Sequence, residues 1–319
     1  FDSKELYALQ TWINGDKVGS LDLVKVLCYQ SYAGYEWIEQ LGMQFKDAVS
    51  QGAGSLWQRT HTSKMNMGTG FISVYADQIE QYSDKITLIN EATATELVKD
   101  GDKVTAVKAT DNHTGKEFTV TAKDGVVLAT GGFSANPKMV QEYNTTGKWP
   151  DLSKIATTNR ESSSQGDGIT MAKNAGASLT DMDELQLLYL GNVKDGQLTK
   201  YPPRCVNGTD QVIFINKEGK RFVREDGRRD EICLGVLGQP DQMFYFLESG
   251  DGAGYKDIKD PSWRSADGFT FDYLVENEYI YYADTLEELA EKLEMNIEDL
   301  QATVDTFNQS VDIGTDEFG

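Results

Sequence analysis

Gly219-Lys220-Arg221-Phe222-Val223-Arg224-Glu225-Asp226-Gly227-Arg228-Arg229-Asp230 follows an apolar run, Val212 to Ile215, across a Lys217-Glu218-Gly219 turn. The run is β-branched and bounded by turn residues, which predicts a short strand. The stretch therefore delivers guanidinium and carboxylate groups at a strand's exit. An arginine there can hold a ligand carboxylate or hand over a proton. Strand, turn and basic exit also occur on many protein surfaces, where arginines are simply solvated.

The charge balance gives that stretch its weight. The 319 residues carry 30 Lys and Arg against 51 Asp and Glu, a formal net charge of −21. Nucleic-acid binding is driven by clustered Lys and Arg that release counterions, so this balance argues against it, and against anionic membrane surfaces. An acidic protein that takes an anionic ligand must build a local positive site against its own field, which singles out Arg204, Arg221, Arg228 and Arg229. With 39% hydrophobic and 25% charged residues the chain has an ordinary globular composition. No apolar run approaches the roughly 20 residues of a membrane helix. Two domains are expected, because single cores stop growing near about 250 residues. Cys28, Cys205 and Cys233 lie far apart without CxxC spacing, and His61 and His113 are the only histidines. Neither a disulfide framework, a metal site nor a haem attachment is indicated. The sequence opens at Phe1 and stops at Gly319, and reads as a piece of a longer chain whose compartment, cytoplasmic or exported, stays open.

Outward from the stretch, apolar spacing predicts one or two helices over Leu21 to Leu41, with a core-packing role, and another over Ile72 to Gln81. Strands are expected at Ile86–Ile89, Ala92–Val98, Val104–Val107, Glu117–Ala122 and Gly125–Ala129. Short helices follow at Asn136–Tyr143 and Ile169–Asn174. The texture changes near Met182 to Asp183, after which strands are read at Leu185–Leu190, Gln211–Ile215 and Met243–Leu247. Thr285-Leu286-Glu287-Glu288 is a capping box opening a helix with Leu286, Leu289, Ala290 and Leu293 on one face. A second helix from Asn296 completes an antiparallel pair.

Two glycine-rich places suit ligands. Ala129-Thr130-Gly131-Gly132 stands at a strand's carboxyl end, where α/β sheets bind ligands and glycines expose backbone amides; taken alone, a plain tight turn is the better account of it. Gln165-Gly166-Asp167-Gly168 puts a carboxylate at a helix start, suited to ribose hydroxyls or to capping alone. Arg59-Thr60-His61 precedes a third glycine-rich loop, and unaided reads as a surface segment.

Gly219–Asp230 resembles the GKRF-x-x-E-x-x-x-R-D signature of flavin-dependent fumarate reductases and their relatives, which include urocanate, acrylate and cinnamate-type reductases and ketosteroid dehydrogenases. The likeness extends along nearly the whole chain. Ala129–Phe133 is similar to the family's A-[AT]-G-G-F run beside the FAD adenosine, and Gly166 to Ala177 to its T-G-D-G-x-x-x-A-x-x-A-G-A pattern, with Gln165 in place of threonine. Arg59-x-His61 resembles the R-x-H segment near the isoalloxazine, although Ser63-Lys64-Met65-Asn66 replaces the usual P-T-G-G.

This resemblance implies an α/β fold with an α+β cap: residues 1–182 a partial Rossmann-like FAD-binding domain, residues 183–319 a truncated capping domain. It implies FAD held by Ala129, Thr130, Gly131, Gly132, Gln165, Gly166 and Asp167. His61 is the implied flavin- or substrate-proximal residue, and Tyr189 and Arg204, at places where the sequence departs from the family, are the further candidate substrate contacts. Arg229 takes the place of the family's catalytic acid, with Glu225 orienting it. The implied reaction is hydride transfer from flavin N5 to the β-carbon of an α,β-unsaturated carboxylate or carbonyl, with the adjacent carbon protonated by Arg229; the electron donor is unknown. The G-x-G-x-x-G fingerprint is expected before residue 1, and the H-H-T-M-G-G and N-R-L-G-G-N segments after residue 319. Departures matter too. Leu187-Leu188-Tyr189 stands where fumarate reductases carry H-P-T, and Arg204–Thr209 lacks the glutamate and arginine of their proton relay. A two-carboxylate substrate is therefore disfavoured. Two alternatives remain open: a ketosteroid-type dehydrogenase running the chemistry in reverse, and a cofactor-free, inactive module.

Overall fold

A computed structural model describes residues 2–51, 55–65, 68–157, 163–194, 196, 212–249, 260–265 and 268–318. They fall into two compact units, one through Ile89 and one from Asn90 on.

The first unit is helical. In α1 (Lys4–Asn14) the Ser3 hydroxyl accepts a bond from the Leu6 N–H at 3.0 Å, satisfying one of the donors that a helix start leaves open. Then come α2 (Leu21–Gln40) and α3 (Thr69–Gln81), where apolar spacing put them. Ile38, Met43 and Val74 form a small buried cluster backed by Leu41 and Phe45. The expected core role of α2 holds at Cys28 and Ile38 only. Leu23 is 72% exposed, Val26 and Leu27 62%, and Trp37 54%.

The second unit opens with an antiparallel meander, β1 (Ala92–Asp100), β2 (Lys103–Asp111) and β3 (Glu117–Thr121), in that order across the sheet. The β2–β3 turn is organised by the Asp111 carboxylate, which accepts bonds from the Thr114 N–H at 2.8 Å and the His113 N–H at 3.0 Å. Those bonds, the Thr114 amide first, hold its carboxyl below the usual range. Next are α4 (Pro137–Tyr143), capped by Asn136, and α5 (Asp167–Asn174). The Lys99 ammonium of β1 donates to the Ala175 carbonyl at 2.9 Å, a cation at a helix's negative end.

β4 (Val212–Ile215) pairs antiparallel with β5 (Tyr245–Glu248), and every residue of β4 is buried. Successive side chains of a strand point to opposite faces, so this requires cover on both. Val212 and Phe214 pack with Leu190 and with Ile232 and Val236 of α6 (Arg229–Leu237). Ile213 and Ile215 pack with Ala290, Met295 and Leu300, borne by α8 (Leu286–Lys292), the turn after it and α9 (Ile297–Ile313). Each such burial is worth about 1.5–3 kcal/mol. Between β5 and α8 lies α7 (Phe271–Glu276), started by Thr270. The boxed threonine behaves as expected: the Thr285 hydroxyl accepts the Glu288 N–H at 3.2 Å.

Three runs read as strands are irregular: Ile86–Ile89, Gly125–Ala129 and Leu185–Leu190. An apolar run becomes a strand only where a neighbour completes the ladder, and among the described residues none pairs with these three. Val127 is accordingly 91% exposed. The expected domain change near Met182 falls within the second unit, between α5 and β4.

Candidate functional site

The stretch from Arg221 to Asp230 wraps the end of β4 and opens α6. Arg228 is the N-cap residue of α6, and its N–H is accepted by the Glu231 carboxylate at 3.1 Å. Arg229 is the first helical residue. Residues three and four apart share a helix face, so Arg229 heads the row that continues in Ile232, Cys233 and Val236, all buried. Its side chain is half-buried, and no hydrogen bond or ion pair joins it to another described residue. Its neighbours differ. Arg221 is paired with Glu225 at 2.6 Å and with Asp316, Arg224 with Asp226, and Asp230 with Lys148. Burial, the largest cause, pushes the Cys233 thiol up to about 12, leaving it a neutral wall residue.

Glu225 is buried at 5% exposure and is engaged elsewhere than Arg229. Its carboxylate accepts the Phe214 N–H at 3.0 Å and the Arg221 Nε–H at 2.9 Å.

The Thr130-Gly131-Gly132 turn and the start of α5 form one assembly. The Gly166 N–H donates to the Gly132 carbonyl at 3.0 Å, and the Ala135 N–H to the Ser164 carbonyl at 3.0 Å. The Gln165 amide donates to the Ala135 carbonyl at 2.9 Å, while the Asn136 amide donates to the Gln165 carbonyl at 3.0 Å. Gly166 caps α5 in the left-handed region, φ 83°, where a side chain is strained. A Cβ at Gly168 would lie 1.9 Å from the Thr130 hydroxyl oxygen, so α5 touches the turn through a glycine. Ala129 to Gly132 and Asp167 are exposed.

A cavity of about 1010 Å³ in the second unit takes its wall from the turn, at Gly132 and Phe133, and from the inner face of α6, at Cys233 and Val236. Tyr189 and Tyr281 line it as well. Tyr189 also packs near Phe214, ring centroids 5.8 Å apart. In the first unit His61 is exposed and lies against Tyr35, centroids 4.3 Å apart. Arg59 is held by Asp2 and Gln10, each at 2.7 Å. Arg204, with the whole segment through Thr209, lies outside the described residues.

Sequence reasoning did not anticipate three of these features. Arg221 and Glu225 were in view, but no helix spans them to make spacing informative. Asp316 gave no signal at all. The Lys148–Asp230 pair joins residues 82 positions apart.

The family model described as "FAD binding domain" matches residues 1–317. The chain belongs to that family. Among relatives of the FAD binding domain chain, NADH:acrylate oxidoreductase of Vibrio harveyi is 35% identical over 99% of this chain and 31% of its own length. Urocanate reductase of Eggerthella lenta is 30% identical over 99% of this chain and 50% of its own length. The chain thus spans half or less of these relatives. Among solved structures, the open conformation of a flavocytochrome c3 fumarate reductase superposes with a TM-score of 0.72 at 25% identity, over 99% of this chain and 52% of that one. A 3-ketosteroid-Δ4-(5α)-dehydrogenase from Rhodococcus jostii RHA1, at TM-score 0.62 and 20% identity, shares the fold. The α/β architecture with FAD as the cofactor is the family's.

The residues present suit one end of that cofactor. Nothing lies within 4 Å of where a Cβ on Gly132 would stand, so a ligand can approach this exposed backbone closely. The exposed Asp167 carboxylate, one residue from the bonded Gly166, is chemically suited to hydroxyl groups. Among the described residues there is no glycine-rich strand-to-helix turn of the pyrophosphate-cradling kind, and no group of three His, Cys, Asp or Glu that could hold a metal. No described helix is long and apolar enough to cross a membrane.

Proposed function

We propose that this chain is the central part of an FAD-dependent reductase of activated alkenes, with residues 1–182 serving the flavin and residues 183–319 the cap. The observation that carries the reading is Arg229: a half-buried guanidinium, on the face of α6 that also walls the cavity, with no carboxylate neutralising it among the described residues. A desolvated cation without a partner seeks an anion. Bound reduced FAD supplies a hydride to the β-carbon of an α,β-unsaturated acid or carbonyl. Arg229 protonates the neighbouring carbon. An arginine gives up a proton only where its surroundings favour the neutral form, because its ordinary pKa lies above about 12. Thr130, Gly131, Gly132, Gln165, Gly166 and Asp167 hold the nucleoside side of the cofactor, and Ala129 leads into them. Tyr189, on the cavity wall, contacts substrate; His61 and Arg204 are the further candidates the sequence offers. Glu225 acts on Arg229 indirectly, by bracing the segment that bears it.

A monocarboxylate such as acrylate is favoured over fumarate, because Leu187-Leu188-Tyr189 offers no second cation. Acrylate and urocanate, in the names of two relatives, are single-carboxylate alkenes, while other relatives are named for fumarate. The test uses the intact parent protein with reduced methyl viologen and a panel of acrylate, urocanate, fumarate and a cinnamate. One member should be reduced, and Arg229→Ala should lower its turnover by at least about 10³-fold while flavin absorbance is retained. Undiminished turnover removes Arg229 from the chemistry.

A further inference from the structure

We propose that Arg221, Glu225 and Asp316 form a clamp that positions Arg229, so that Asp316, beyond the last helix, is a positioning residue for proton delivery. The inference rests on the reading of Arg229 as the acid. Between β4 and α6 the chain runs through residues 216–228 without a helix or strand. The aim of Arg229 therefore depends on what ties this segment down.

The ties converge on one guanidinium. Arg221 bridges back to Ile215, and its Nε–H and Nη2–H donate to the Glu225 carboxylate at 2.9 and 2.6 Å. Glu225 in turn receives the Phe214 N–H at 3.0 Å, which roots it in the most buried strand of the unit. The remaining Nη1 donates to Asp316. The guanidinium carbon lies 5.2 Å from the Phe307 ring centroid of α9 and 4.8 Å from that of Phe318. The three charged side chains are 9%, 4% and 19% exposed. From Glu225 the chain reaches α6 through one tight turn, the Gly227 N–H donating to the Arg224 carbonyl at 3.1 Å, and then the Arg228 cap.

Arg221 with Glu225 alone would leave the Nη1 donors buried and unmet. An unmet buried donor is costly enough to make the guanidinium swing toward water. Glu225 would then lose its fork and keep only the Phe214 N–H bond. An error of about 1 Å in a reacting group can cost about 10²-fold in rate.

Asp316→Ala, Asp316→Asn and Arg221→Lys are the variants, in both the 319-residue chain and the flavin-loaded parent. In the chain, amide exchange over residues 225–231 should speed up by at least about 10-fold in Asp316→Ala, with β1 and β2 unchanged. In the parent, kcat for the best enoate of the panel should fall by about 10- to 100-fold. KM should stay within about twofold, and the solvent deuterium isotope effect should rise as proton transfer becomes limiting. Should Asp316→Ala fail to fold, Asp316→Asn and Arg221→Lys read the same quantities. Unchanged exchange, or a kcat that drops only with the folded fraction and at constant isotope effect, overturns the clamp. Full turnover in Arg229→Ala overturns the acid assignment and the clamp's purpose together. Loss of turnover in Arg229→Ala beside unaffected Asp316 variants overturns the clamp alone.

Discussion

Cys233 shows how burial and function separate at the scale of a residue. It lines the cavity and stands one helical turn from Arg229, yet its thiol is pushed up to about 12, by burial first and Asp230 second, against the opposing pull of Arg229. A thiol that stays protonated is neither nucleophile nor metal ligand. The raised value also fixes a sign. A folded-state pKa above the unfolded value of 9.0 gives stability that is fully present below pH 9 and is lost as pH climbs toward about 12. Denaturant midpoints measured from pH 8 to 11 should fall with pH in the native chain, and the fall should be shallower in Cys233→Ala; equal slopes would refute the assignment. Alkylation by iodoacetamide at pH 8, read by mass spectrometry at Cys233, should be at least about 10-fold slower folded than unfolded. Arg229 is the complementary case: among the described residues no carboxylate pairs with it, whereas Arg221 and Arg224 are each paired.

Among the elements, α5 and the Thr130 turn are coupled by contact. With 1.9 Å between a Cβ on Gly168 and the Thr130 oxygen, Gly168→Ala must displace the turn. The variant should lose flavin from the parent protein, read as absorbance near 450 nm per protein, while circular dichroism of the β1–β3 meander persists; wild-type flavin content would show that the turn tolerates the shift. Elements with their own local signals were legible in the sequence. The α8–α9 pair came from Thr285, Glu288 and an apolar face, the β1–β3 meander from alternation and turns, and β4 from four apolar residues. Ile86–Ile89, Gly125–Ala129 and Leu185–Leu190 misled because an apolar run reports burial potential, whereas a strand needs a partner that no local pattern reveals. α6 went unanticipated because its N-cap is an arginine, Arg228, and its cap bond comes from Glu231. Of the candidate site, Arg229 and the two glycine turns were visible as motifs. The ties through Asp316 and Lys148 were not, since nothing in a sequence joins residues 95 or 82 positions apart.

For the molecule as a whole, the charge of −21 works against the ribbon around Val127. Residues 125–129 belong to no helix or strand, with Val127 91% and Leu128 43% exposed. Such an apolar, unpaired backbone is a template for strand addition. At low ionic strength, mutual repulsion between acidic molecules keeps the templates apart. In 1 M salt the Debye length shrinks to about 3 Å and that protection fails. Light scattering of the isolated chain should therefore grow with added sodium chloride, and Val127→Lys should suppress the growth; scattering indifferent to both would acquit the ribbon. Shelf life of this polypeptide would then be set by what shields its acidic coat, and a single lysine at its barest point would lengthen it without touching the interior.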